Sequence, residues 1–490
     1  MNHKTRNKSR SAAHSYQPLE PKQLLATFVV NTADDVDDQN CNVVHCSLRE
    51  AINEAELTSA KDTIEFAIPG NQVHTIRPLT DAYQRINHPI EIDARTQFGY
   101  NGIPRIVLDG SLVEDDAANS HQSGLGLNAD DSEIFGLSIV SFPDFGVRVA
   151  FGANNTIQGN YLGLLPNQSA AGNGNAGLIL IHSPDNLVGG SISERNIISG
   201  GDNDGIWVFG SGSTNNTIQH NYIGTDKDGV NSVPNLDHGI FLSDGAHHNT
   251  MRDNIVSGNG DVGISFFNAG TDHNEVMDNL IGVNIRLRPL ANTSHGVSLY
   301  DGPSDNVIGA PGDGNTISGN HGNGVFLYGA ATSDNVIQSN RIGTTVIGDA
   351  TPNTRHGITI RTGANANLIE ANVISGNLRS GVSIEDPETD GNELLGNFIG
   401  VDLHGEPLPN SFNGIHLFEG PSNNVIGSPG HGNIISANGI NGVEIQGAET
   451  SGNVLQGNLI GTNTHGHVVP NGRHGVWLRN ETHSNLIGGT

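Results

Sequence analysis

The sequence is organised by a repeated Asn-x-Φ motif (Φ apolar), and its spacing constrains the fold more than any other feature. The motif starts at Asn160, Asn196, Asn221, Asn254, Asn279, Asn315, Asn340, Asn372, Asn397, Asn433 and Asn458. Successive intervals are 36, 25, 33, 25, 36, 25, 32, 25, 36 and 25 residues. A short turn of constant length thus alternates with a long turn of variable loops, and the unit is two turns of a solenoid. Variation is confined to stretches such as 225–234 and 309–315. A second Asn column runs once per turn from Asn155 to Asn485. Asn tolerates turn dihedrals and carries both donors and acceptors, so stacked Asn side chains are expected to bond along the axis as ladders.

A third motif, Gly-Φ-x-Φ, opens a strand at twelve positions from Gly146 to Gly475, with a less regular one near Gly124. Three short strands per turn, wound in parallel, describe a parallel β-helix. At about 4.8 Å per rung, twelve rungs span about 53 Å. The handedness of parallel crossovers favours a right-handed coil. The expected fold class is all-β, a right-handed parallel β-helix of about 12–14 rungs. This resembles the pectin-lyase-like superfold over residues 120–490.

Composition agrees. Gly supplies 65 of 490 residues, and only 15% are charged. Long helices and coiled coils are disfavoured by the shortage of Glu, Lys and Ala, and no run of about 18 apolar residues exists to cross a membrane. The chain carries 23 basic and 51 acidic residues, a net charge of −28, which excludes nucleic acid as a natural partner.

The N-terminal region differs from the repeats. Ser47-Leu48-Arg49-Glu50 is a capping box, and Leu48, Ile52 and Ala55 fall on one helical face, so a short amphipathic helix is expected near 46–58. Cys46-Ser47-Leu48-Arg49-Glu50-Ala51-Ile52 resembles the CSLREA segment that precedes right-handed β-helix repeats in bacterial exported proteins. Cys41 matches an additional Cys of that family, and residues 90–111, with Asp93, Gln97-Phe98-Gly99-Tyr100 and Leu108-Asp109-Gly110-Ser111, resemble the stretch that follows. Cys41 and Cys46 are close enough for a local disulfide in an oxidising compartment, with two free thiols as the alternative. A helix over the first rung would block edge-to-edge pairing of the open sheet. Further upstream, Leu19-Glu20-Pro21-Lys22-Gln23-Leu24-Leu25 resembles the LEPR-xLL segment of large bacterial surface proteins, with Lys22 where that pattern has Arg. The expected organisation is a basic disordered tail over 1–25, a cap region over 26–115, and repeats over 116–490. The ending Asn485-Leu-Ile-Gly488-Gly489 parallels Asn186-Leu-Val-Gly189-Gly190, which leads into another turn. Further repeats or a second chain are therefore expected at that edge.

Candidate sites follow from the period-2 rule. In Gly-Φ-x-Φ-x the Φ side chains face the core and the x side chains face outward. The two outward columns hold Trp207, Phe209, Phe241, Phe267, Tyr300, Phe326, Tyr328, Phe418 and Trp477. These are nine aromatics in 24 positions, in a chain that is 5% aromatic. An outward apolar strip suggests a binding surface, and aromatic faces suit sugar rings. The alternative is that strand-loving aromatics stack on one another under covering loops. Near the C-terminal rungs, Arg361, Glu385, Asp386, His416, Glu419 and Glu444 cluster, a set able to supply acid, base and charge stabilisation. His-Gly pairs at His238, His295, His356 and His474 have their nearest neighbours about two rungs away, too far apart to share a metal, and read as structural. Asp226 and Asp228 lie in a D-x-D-G stretch that could take Ca²⁺ but lacks a closing bidentate Glu; a surface turn is the simpler reading.

The sequence therefore points to an exported or cell-surface protein that binds polysaccharide or another surface through the aromatic strip. A polysaccharide lyase, glycoside hydrolase or C5-epimerase using the same groove is the alternative, and a non-catalytic adhesin or stalk is a third. Ca²⁺ is the only cofactor suggested.

Overall fold

The computed structural model describes residues 25–79, 81–114 and 122–488. The upstream LEPR-like segment lies almost entirely outside them. Three parallel sheets of 16, 14 and 13 strands wrap one core. The first sheet runs from Thr27–Val30 to Leu486–Ile487, the second from His74–Ile76 to Leu459–Ile460, and the third from Leu125–Leu127 to Val476–Arg479. The expected all-β solenoid is thus present. The cap region supplies the first strands of the first two sheets, and the core is continuous from Val30 to Leu455.

The predicted helix is Leu48–Ala55. Ser47 Oγ accepts from the main-chain N–H of Glu50, and Glu50 returns the bond through Oε2 to the N–H of Ser47 at 2.8 Å. Leu48, Ala51, Ile52 and Ala55 are buried on the face turned to the first rungs. Cys41 and Cys46 form a disulfide.

The rungs are held from inside by apolar contacts and in the bends by Asn ladders. The motif beginning with Asn160 opens the second-sheet strand rather than ending the first-sheet one, because the bend after Thr156–Gln158 precedes it. Asn279 shows the ladder's economy. Its Nδ2 donates to the carbonyls of Met251 and Met277 and to Asn315 Oδ1. Its Oδ1 accepts from the main-chain and side-chain nitrogens of Asn254. A third ladder joins Asn235, Asn259, Asn292, Asn320, Asn353, Asn377, Asn410, Asn438 and Asn471, through side-chain bonds of 2.9–3.1 Å. Each member stands four residues before a Gly-Φ-x-Φ glycine, a constant offset visible in the sequence.

Candidate functional site

The third sheet carries the outward columns in the predicted register. Trp207 pairs with Phe241, Phe241 with Ser265, Ser265 with Ser298, and Ser298 with Phe326. Phe267, Tyr300 and Tyr328 align in the second column. The inward positions are fully buried as far as Val443 and Ile445, Phe266 included, while Val476 and Leu478 of the last rung are not. All nine aromatics are half-buried, and each packs against neighbouring side chains of the sheet.

Seven of the nine rings form one chain, in the order Phe209, Trp207, Phe241, Phe267, Tyr300, Tyr328, Phe326. Consecutive centroids are 4.4–6.3 Å apart. Phe418 and Trp477 stand apart. Phe418 stacks on His416 at 4.4 Å, and Trp477 lies under the Arg479 guanidinium at 4.6 Å. Where the first column changes from Phe241 to two serines and back to Phe326, the small side chains open a cleft of about 340 Å³. Ser265 and Ser298 form its floor, joined by a 2.9 Å hydroxyl bond. Phe241, Phe267, Tyr300 and Phe326 line it, with His238, His295 and Asp261 at its rim.

The polar candidates divide into two groups. Arg361 contacts Glu385 at 3.3 Å and Asp386 at 3.1 Å, and Ser383 Oγ donates to Glu385 at 2.8 Å. Burial lifts the Glu385 carboxyl above its ordinary range, against the pull of Ser383 and Arg361. Glu419 is exposed beyond them. Two rungs after Glu385, the Glu444 carboxylate is fully engaged. Its Oε1 accepts from Arg479, and its Oε2 accepts from Asn413 and Asn441. His416 lies 4.0 Å from Glu444, and burial lowers its pKa. Such saturation fits a structural clamp better than a reacting group.

Asp226 turns its oxygens inward to Val230 N–H and Asn231, and Asp228 pairs with Lys227. Asn284, Asp402 and Asn463 accept similar main-chain bonds in the corresponding loops, which marks a repeated turn.

The His-Gly column holds a difference that the repeat pattern hid. The Nδ1 of His295 accepts from Asn323 N–H at 3.0 Å, and that of His356 from Ser380 N–H at 3.2 Å. Burial, with nearby Arg355 for His295 and Arg379 for His356, pushes both rings down to about 4. His238 makes no such main-chain bond. Its Nδ1 faces Asp237 Oδ1 at 2.8 Å and Asp204 Oδ1 at 3.3 Å. Although burial opposes it, the two carboxylates push this ring up to about 9. His238 therefore differs from His295 and His356 in its partners, with two carboxylates at Nδ1 in place of a main-chain N–H.

Comparison with solved structures gives low-identity likenesses. The A-module of Azotobacter vinelandii mannuronan C-5 epimerase is 13% identical, with a TM-score of 0.42, over 90% of this chain and 94% of that one. A periplasmic alginate epimerase is 10% identical, with a TM-score of 0.43, over 94% and 85%. The Dettilon tailspike protein is 14% identical, with a TM-score of 0.41, over 88% and 64%. No curated protein matches the sequence. Residues 231–350 match the family described as periplasmic copper-binding protein (NosD). Residues 111–281 and 302–487, most of the chain, match the right handed beta helix region, and the chain belongs to that family.

Proposed function

We propose that the chain is an exported β-helix protein that holds an extended polysaccharide in the aromatic cleft of its third sheet. The observation that carries this reading is the seven-ring chain from Phe209 to Phe326, interrupted in the first column by Ser265 and Ser298. Flat apolar rings receive the C–H faces of sugars, and the two hydroxyls offer hydrogen bonds between them. The rings are already ordered by stacking, so little side-chain entropy is lost on binding. Export is supported by the Cys41–Cys46 disulfide, which persists in oxidising compartments. The match of residues 231–350 to a periplasmic family points the same way. Net charge −28 disfavours nucleic acid.

A second reading is catalysis on the same glycan. It draws on Glu385, whose raised carboxyl pKa beside Arg361 suits a general acid for a hydrolase, lyase or epimerase. An oligosaccharide array decides between the readings. Binding that is lost in Trp207→Ala and Phe241→Ala, and kept in Trp477→Ala, supports the cleft. No retained glycan overturns it and leaves a passive stalk. Product release that disappears in Glu385→Gln moves the conclusion to the enzyme.

A further inference from the structure

At the His238 slot the column changes its charge. In two other repeats an Asn of the short turn accepts from the main-chain N–H of the following His, whereas Val262 stands at that position before His295. Asn323 does so for His356 at 3.0 Å, and Asn441 for His474 at 3.2 Å. Asp204 makes the same bond to His238 at 3.1 Å, so it fills an Asn position with a carboxylate. The residue before the His is Ser294, Arg355 or Arg473 elsewhere, and Asp237 here. Two carboxylates thus replace neutral or basic residues around one imidazole.

The geometry is that of a donor set. Nδ1 of His238 and one oxygen each of Asp204 and Asp237 lie within 4.8 Å of one another. Nδ1 is shielded from solvent and makes no aligned hydrogen bond, although both oxygens are near. A Zn²⁺ ion bound at about 2.0–2.1 Å by nitrogen and oxygen needs donors about 3.3 Å apart at a tetrahedral centre. The observed nitrogen–oxygen separations are 2.8 and 3.3 Å, and the two carboxylate oxygens lie within 4.8 Å of each other. The Asp204 side chain is 4% exposed, and its main-chain bond to His238 fixes its orientation, as supports of ligating carboxylates do. Another His–carboxylate group, Asp38, His45 and Glu50, lacks this freedom. Both Glu50 oxygens already cap main-chain N–H groups of Asp38 and Ser47.

We propose that Asp204, Asp237 and His238 form a three-ligand site for a divalent transition ion of the Zn²⁺ type, at the rim of the aromatic cleft. Nitrogen and carboxylate donors together favour such ions over Ca²⁺, which takes six to eight oxygens. Three protein ligands leave a coordination position for water or a ligand oxygen. The His238 ring also stacks on Phe241 at 4.9 Å, which couples the site to the cleft.

The test is calorimetric titration of the metal-free full chain with Zn²⁺ alone, and separately with Ca²⁺. His247→Gln/His248→Asn serves as background, to remove a surface imidazole pair whose Nδ1 atoms are 2.7 Å apart. Asn suits position 248 because its φ is 56°. The expected result is one Zn²⁺ per chain and no Ca²⁺ uptake. Asp204→Asn and Asp237→Ser each weaken Zn²⁺ binding by about tenfold or more. Both variants copy residues that the neighbouring repeats already use, so the fold is retained, as an unchanged thermal midpoint without metal will verify. Absence of stoichiometric Zn²⁺, Ca²⁺ binding in its place, or unchanged affinity in both variants overturns the proposal. Co²⁺ loaded into the same background reports the ligand set by its d–d absorption, and a spectrum unchanged by Asp204→Asn counts equally against it.

Discussion

The main-chain N–H of Asn323 donates to Nδ1 of His295 across adjacent rungs, at 3.0 Å. The bond leaves His295 a neutral acceptor in a buried slot, with a pKa of about 4. An unfolded His titrates near about 6.5. Folding thus favours the neutral ring, and His356 behaves alike. Stability from these rings is complete above about pH 6.5 and is lost as pH falls through about 4, by up to about 3 kcal/mol each. Urea unfolding from pH 7 to 4 should show a smaller fall in His295→Gln/His356→Gln than in the native chain. An equal fall would assign the acid sensitivity to other groups.

Ser298→Phe should close the cleft without disturbing the sheet. Its register partner Phe326 already places a ring in the same column, so the backbone accepts one. The new ring would fill space above Ser265 between Phe241 and Phe326. The expected outcome is an unchanged thermal midpoint, within about 1 kcal/mol, and at least tenfold weaker glycan binding. Retained affinity would mean that the ligand does not enter between these rings.

Much of this architecture was legible because each rung repeats one grammar. Gly-Φ-x-Φ fixed inward and outward positions, and the third sheet keeps that register from Trp207 to Trp477. The ladder from Asn235 to Asn471 was equally periodic, but it sits in Gly- and Ser-rich loops where Asn reads as ordinary turn chemistry. Degree of exposure was not legible. It depends on which rings pack against one another across rungs, which residue type alone does not encode. The Asp204–His238 contact was hidden for a different reason. The two residues are 34 apart in sequence and meet only through the alternation of short and long turns. Comparing His with His along the column missed the short-turn neighbour lying between them.

Glu385 and Glu444 should separate cleanly on mutation. Glu444 holds Arg479, Asn413 and Asn441 together, so Glu444→Ala strands three donors and should cost about 2–3 kcal/mol. Glu385 has a raised pKa, with Ser383 and Arg361 as partners. Glu385→Gln keeps the shape and a hydrogen-bond acceptor, and should shift stability by less than about 1 kcal/mol. Thermal melts of both variants provide the check. A larger loss in Glu385→Gln than in Glu444→Ala would reverse their assignment.

The ladders make a sharper claim about cooperativity. Asn279 is fully buried, and its side chain exchanges five hydrogen bonds with Met251, Met277, Asn254 and Asn315. Replacing it with Ala removes donors to two carbonyls and an acceptor for Asn254, and the bonds to Met251 and Asn254 are buried. Each orphaned group costs about 1–3 kcal/mol, so Asn279→Ala should destabilise by about 3 kcal/mol or more. Asn279→Asp keeps the acceptor but points a carboxylate at Asn315 Oδ1 where a donor stood. It should be at least as harmful near neutral pH, and less so in acid, where the protonated carboxyl can donate again. Hydrogen exchange then gives the spatial readout. In a solenoid each rung touches only its neighbours, so protection should fall first at Ile255–Val256, Leu280–Ile281 and Thr316–Ile317 while distant rungs keep theirs. Uniform loss of protection along the whole chain would show instead that the β-helix unfolds as a single unit.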